Sequence, residues 1–114
     1  MKQIPPPSEP TRWIPVAEAS ELGEGKAIER VVEGQLVAIF RHHGALHGLE
    51  ALCAHHGGPL AEGTVRDGCV TCPWHGWTYR LEDGSQIASG ERLIRAYKVR
   101  ENAGQIEVGW TDQS

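Results

Sequence analysis

At 114 residues, with 39% apolar side chains, the chain is long enough for one small domain with a modest core. Eleven Lys and Arg against fifteen Asp and Glu give a net charge of -4, which argues against a nucleic-acid partner and is compatible with docking on a basic patch of a protein. Three cysteines without a secretory leader argue against a disulfide framework, and no run of 18 or more apolar residues offers a membrane span, so a soluble cytoplasmic protein with reduced thiols is expected.

Residues 1–10 hold four of the seven prolines and almost no apolar side chains, which predicts an extended tail ahead of a domain over 11–112. A strand is expected at Arg12–Val16, with Pro15 restricting it to a sheet edge. Ala17–Leu22 fits a short helical turn closed by Gly23 and Gly25. Lys26–Val32 and Gln35–Arg41 flank a Glu33-Gly34 turn and form a hairpin. After a turn over His42-His43-Gly44-Ala45, Leu46–Leu52 leads to a first loop. Thr64–Arg66 and Cys69–Thr71 pair around Asp67-Gly68 and feed a second loop. Thr78–Leu81 leaves it and turns at Glu82-Asp83-Gly84. Arg92–Arg100 reads as one returning strand with Leu93, Tyr97 and Val99 on one face. A turn at Asn102-Ala103-Gly104 leads to a last strand, Gln105–Gly109. Eight to ten short strands punctuated by 14 glycines predict an all-β antiparallel sandwich or partly open barrel.

The two loops carry the chemistry. Cys53-Ala54-His55-His56-Gly57-Gly58-Pro59-Leu60 offers a thiolate and an imidazole at Cys-x-His spacing, and Cys72-Pro73-Trp74-His75-Gly76-Trp77 offers the same pair at Cys-x-x-His. The sixteen residues from 56 to 71 suffice for a strand out and a strand back, which sets the loops side by side. Two thiolates and two imidazoles suit either one tetrahedral zinc or a two-iron, two-sulfide cluster with the cysteines on one iron and the histidines on the other. Neither loop repeats the other in sequence. Gly57, Gly58 and Gly76 allow close backbone approach to a metal, and Pro59 and Pro73 stiffen the loops.

The pattern Cys53-x-His55 followed by Cys72-x-x-His75, with Gly57-x-Pro59-Leu60 and Pro73-Trp74-His75-Gly76-Trp77, closely resembles the Rieske proteins. The similarity is strongest in a cluster-binding subdomain over about 51–79 and extends more weakly through residues 12–109. The resemblance implies one [2Fe-2S] cluster, with Cys53 and Cys72 on a buried iron and His55 and His75 on an outer iron at the surface. Two imidazoles in place of two thiolates leave the oxidised site neutral. It therefore accepts an electron more easily than an all-cysteine cluster, with a potential that falls as pH rises and the imidazole protons leave.

Rieske proteins of cytochrome bc complexes carry an extra Cys in each loop and a Ser after the second His-Gly. Here those positions are Gly58, Trp74 and Trp77. The departure places the chain with soluble, low-potential ferredoxins similar to components of bacterial aromatic-ring dioxygenase systems, with a midpoint on the order of -150 mV. Such a carrier takes single electrons from a reductase to a terminal oxygenase or similar enzyme, and it lacks room for an oxygenase's catalytic domain. The alternatives are a Rieske-like small subunit of an assimilatory nitrite reductase and, more remotely, a zinc-stapled binding module.

Gly57, Gly58, Pro59, Pro73, Trp74 and His75 are expected to rim the docking surface, with His56 exposed beside them. Trp77 is expected to pack beneath its loop. Cys69 reads as an inert, partly buried thiol rather than half of a redox Cys-x-x-Cys. His42, His43 and His47 read as solvated turn residues, and Trp13, Phe40, Tyr97 and Trp110 as packing.

Overall fold

The computed structural model describes residues 9–54 and 57–111. Among them run ten strands: β1 (Arg12–Glu18), β2 (Ala27–Val32), β3 (Gln35–His42), β4 (Ala45–Glu50), β5 (Thr64–Arg66), β6 (Cys69–Thr71), β7 (Thr78–Arg80), β8 (Ala96–Tyr97), β9 (Val99–Asn102) and β10 (Gln105–Trp110). They form three antiparallel sheets in the orders β1-β10-β9, β2-β3-β4-β8 and β5-β6-β7. Single 3-10 turns at Ala19–Glu21 and Leu60–Glu62 are the helical elements among the described residues, and no helix there is long and apolar enough to cross a membrane.

Strand β3 explains the layering. Its run Val37-Ala38-Ile39-Phe40 is buried throughout, as a strand covered on both faces must be. Val37 and Ile39 pack with Ile106 and Val108 of the first sheet. Ala38 and Phe40 face the other way, onto Val70 and Tyr79 of the third. The middle sheet thus separates an outer core, shared with the first sheet, from an inner core that includes Cys53 and Cys72 and lies directly under their loops.

Four hairpins use the same two-residue turn, at Glu33-Gly34, His43-Gly44, Asp67-Gly68 and Ala103-Gly104, with both residues at positive φ. That backbone twist matches the right-handed twist of paired strands, and the glycine adopts it without strain. The expected four-residue turn at His42–Ala45 is therefore tighter: β3 runs through His42 and β4 begins at Ala45. Pro15 lies on edge strand β1, at an irregularity in its pairing with β10.

One strand expectation needs correction. Arg92–Arg100 is not one strand. The chain changes sheets at Lys98, whose carbonyl accepts from Gly109 N at 2.7 Å, so Tyr97 belongs to β8 and Val99 to β9. Leu93 packs on the inner core and Val99 on the outer one, so they do not share a face. The expected tail over 1–10 lies outside the described residues except for Glu9 and Pro10. Those two are held: Glu9 pairs with Lys98 at 2.6 Å and its carbonyl accepts from Thr111, while Pro10 lies against Gly109.

Candidate metal centre

Strand β4 delivers Cys53 to the first loop, and the β5–β6 hairpin delivers Cys72 to the second. Each loop closes on itself by the same two backbone bonds. Cys53 N donates to Gly58 O at 2.8 Å and Gly57 N to Cys53 O at 2.9 Å; Cys72 N donates to Trp77 O at 2.8 Å and Gly76 N to Cys72 O at 3.1 Å. Gly57 and Gly76 both take φ of 75°. The loops differ in sequence, as expected, but they repeat in backbone, and the two positive-φ glycines are what the shared bend requires. At Gly57 and Gly76 a side chain would meet nothing within 4 Å, so conformation rather than close approach selects glycine there.

Gly58 is different. It is buried, and a Cβ on it would lie 2.6 Å from Cys72 Sγ and 3.0 Å from Cγ of Trp74. The expectation that Gly58 rims the surface is therefore corrected: it forms the floor where the two loops meet. Pro59 and Gly57 are half-buried, and Pro73, Trp74, His75 and Gly76 are exposed. Trp77 packs on the inner core, whereas Trp74 is 57% exposed. His55 and His56 lie outside the described residues. Among those described, no three His, Cys, Asp or Glu side chains gather closely enough to hold an ion.

Cys53 and Cys72 are 4% and 2% exposed and belong to the same core. Between them stands Tyr79, a residue the sequence did not single out. Its hydroxyl lies 3.1 Å from Cys53 Sγ and accepts from Ala54 N, also at 3.1 Å. Either group can donate while Cys53 carries its proton; toward a thiolate the phenol is necessarily the donor. Burial, and then the Cys53 contact, push the phenol well above its ordinary pKa, so it stays protonated. The signal available in sequence was the alternation in Thr78-Tyr79-Arg80, which turns Tyr79 inward beneath both loops. The stem of the second loop is tied by Thr71 Oγ1 and Thr78 Oγ1 at 3.0 Å. Beyond it, residues 85–92 hydrogen-bond onto β7 and onto themselves through Arg80 N to Ser85 O, Ile87 N to Thr78 O and Gln86 N to Glu91 O.

The histidines outside the loops are less solvated than expected. His42 Nε2 accepts from Gly68 N at 3.1 Å, linking β3 to the hairpin that carries Cys72, and its ring stacks on His43 at 4.0 Å. His47 is half-buried, and burial lowers its pKa. His43 is exposed as expected. Cys69 is a partly buried free thiol on β6. Phe40 is fully buried, Tyr97 stacks on Trp110 at 6.0 Å, and the Arg100 guanidinium lies 4.2 Å over Trp13.

Two buried thiols, a phenol donor aimed at one of them and a close-approach glycine beside the other fit a thiolate-held metal group. Comparison with known proteins agrees. The Rieske [2Fe-2S] domain matches residues 12–97. The anthranilate 1,2-dioxygenase ferredoxin subunit of Burkholderia cepacia is 34% identical over 97 residues, spanning 84% of this chain and 90% of that one. Cholesterol 7-desaturase of Bombyx mori is 36% identical over 118 residues, but this chain spans only 26% of its length. The ferredoxin of carbazole 1,9a-dioxygenase from Nocardioides aromaticivorans superposes with a TM-score of 0.80 at 22% identity, covering 89% of this chain and all of that one, a likeness of fold.

Proposed function

We propose, from the premise that the chain belongs to the Rieske [2Fe-2S] domain family, that it is an electron carrier between a reductase and a terminal oxygenase or similar enzyme. The family's single [2Fe-2S] cluster supplies a one-electron couple, and every other feature of the work falls to side chains and amides of this chain. Cys53 and Cys72 would hold the inner iron, and His55 and His75 the outer one. The observation that carries this reading is the contrast between the loops' two sides. Both thiols are sealed in the core, while the loop bearing His75 stands exposed.

That asymmetry suits transfer without chemistry. The inner side is shielded from water, with both sulfurs inside the core. Tyr79 meets the added negative charge with a fixed O–H, and loop amides closed on their own carbonyls hold the frame. The outer side lets a partner approach His75 over Pro73, Trp74 and Gly76. Such encounters are brief and use small interfaces. Among the solved structures similar to this chain is one, at 26% identity, of the reduced complex between oxygenase and ferredoxin in carbazole 1,9a-dioxygenase, which supports a partner of that kind here. A working place in the cytoplasm follows from reduced thiols and is part of the proposal.

Iron and acid-labile sulfide analysis, with EPR of the reduced protein, tests the cofactor: two irons and two sulfides per chain are expected, and stoichiometric zinc without iron refutes it. Stopped-flow reduction by a flavin-dependent reductase, followed by reoxidation on mixing with a Rieske-type oxygenase, tests the role. Reduction by dithionite but no exchange with any such pair would refute the carrier.

A further inference from the structure

None of the four backbone bonds that close the loops crosses from one loop to the other. Among the described residues, a contact that does cross is Gly58 against Cys72 and Trp74. A Cβ built on Gly58 would lie 2.6 Å from Cys72 Sγ, 3.0 Å from Trp74 Cγ and 3.1 Å from Trp74 Cδ2. Sulfur and indole therefore both crowd the position that a side chain on the buried Gly58 would take. The indole thus lies against that floor at Cγ and Cδ2, while Trp74 as a residue is 57% exposed.

We propose that Trp74 is a positioning residue that presses the first loop onto the second through Gly58 and covers the Cys72 sulfur from water. The proposal rests on the reading that Cys72 is a cluster ligand. Its physical content has two parts. Packing a flat ring on a residue with no side chain brings the loops closer than any side chain at 58 would allow, which preserves the spacing of their thiols. Covering the sulfur removes the water that would otherwise donate hydrogen bonds to it, and such bonds favour the more negative, reduced state. Trp74 therefore holds the potential down and the cluster in. The glycine and the tryptophan act as one unit: a larger residue at 58 displaces both the ring and the sulfur.

The test compares Trp74→Ala and Trp74→Phe with the unaltered holoprotein, reading midpoint potential by film voltammetry and bleaching of visible absorbance under excess chelator. Trp74→Ala is expected to raise the potential and to speed bleaching about tenfold, the lower end for loss of a group supporting metal ligands. Trp74→Phe, which keeps a ring over Gly58, is expected to restore most of both. An unchanged potential in Trp74→Ala overturns the proposal, even if bleaching quickens, because a brace alone would do that. If Trp74→Ala assembles no cluster, Trp74→Leu is read in the same way. Gly58→Ala is expected to lose most of its iron, and native iron content and potential in that variant overturn the placement of Gly58. An unaltered protein lacking iron and sulfide refutes the underlying reading instead, so the two failures are distinguishable.

Discussion

Replacing Tyr79 by Phe removes one oxygen from a fully buried position and changes little in volume. The oxygen makes two bonds, at 3.1 Å each, to Cys53 Sγ and from Ala54 N. A hydrogen bond to a charged group contributes about 1.5–3 kcal/mol, but only the part that grows on reduction moves a potential. The added charge is shared over a whole cluster. If roughly a third of the bond, about 0.5–1 kcal/mol, depends on oxidation state, the one-electron conversion of about 59 mV per tenfold gives a fall of about 20–40 mV. Voltammetry of both proteins at one pH measures it. The orphaned Ala54 amide adds a separate cost of about 1–3 kcal/mol in stability, visible as a lower urea midpoint. A potential that is unchanged or higher in Tyr79→Phe would refute the argument that this hydroxyl donates to the thiolate.

Three further outcomes follow. Asp83 accepts from Ser85 N at 2.9 Å and Ser85 Oγ at 2.7 Å; although burial pushes its pKa up, these bonds prevail and lower it. Its contribution is therefore present above the ordinary carboxylate range and lost as pH falls through it, and Asp83→Ala should cost about 1–2 kcal/mol at pH 7 in urea titrations, with a smaller difference at pH 3. His47 has its pKa lowered, chiefly by burial, so the unfolded chain takes up a proton that the folded chain resists; stability should decline as pH drops below about 6.5, and His47→Gln should flatten that decline in the urea midpoint. Stripping iron with acid and a chelator should lower the thermal midpoint, and near-ultraviolet circular dichroism should report loosening around Trp74 and Trp77.

The turns were the most legible part of the sequence, because each is a local Xaa-Gly pair whose backbone needs no distant partner. The two Cys-His loops were legible for the same reason: a cysteine and a histidine at short spacing state their chemistry within each loop, and the family match agrees with one [2Fe-2S] cluster. What escaped was long-range. The apolar alternation of Leu93, Tyr97 and Val99 suggested one strand, but β4 claims Tyr97 and β10 claims Val99, and no local pattern announces a change of sheet. His42 looked like a turn residue because its partner, the Gly68 amide, is 26 residues away. Tyr79 looked like one more strand aromatic until the fold placed it against Cys53, and Gly58 looked like loop surface until the second loop closed over it.

The residues between β4 and β8 leave the middle sheet at Glu50 and rejoin it at Arg95, where Glu50 N bonds to Arg95 O at 2.8 Å and Leu49 faces Ala96. Entrance and exit are thus next-door neighbours, and the loops that carry Cys53 and Cys72 sit on one inserted segment, whose own apolar side chains complete the inner core against Ala38 and Phe40 of β3. Transplanting that segment asks for two adjacent antiparallel strands in the host and for an apolar sheet face, like that of Ala38 and Phe40, for it to cover. Stripped of its metal, the segment should melt by itself while the rest of the fold, whose own core joins β3 to β10, stays folded.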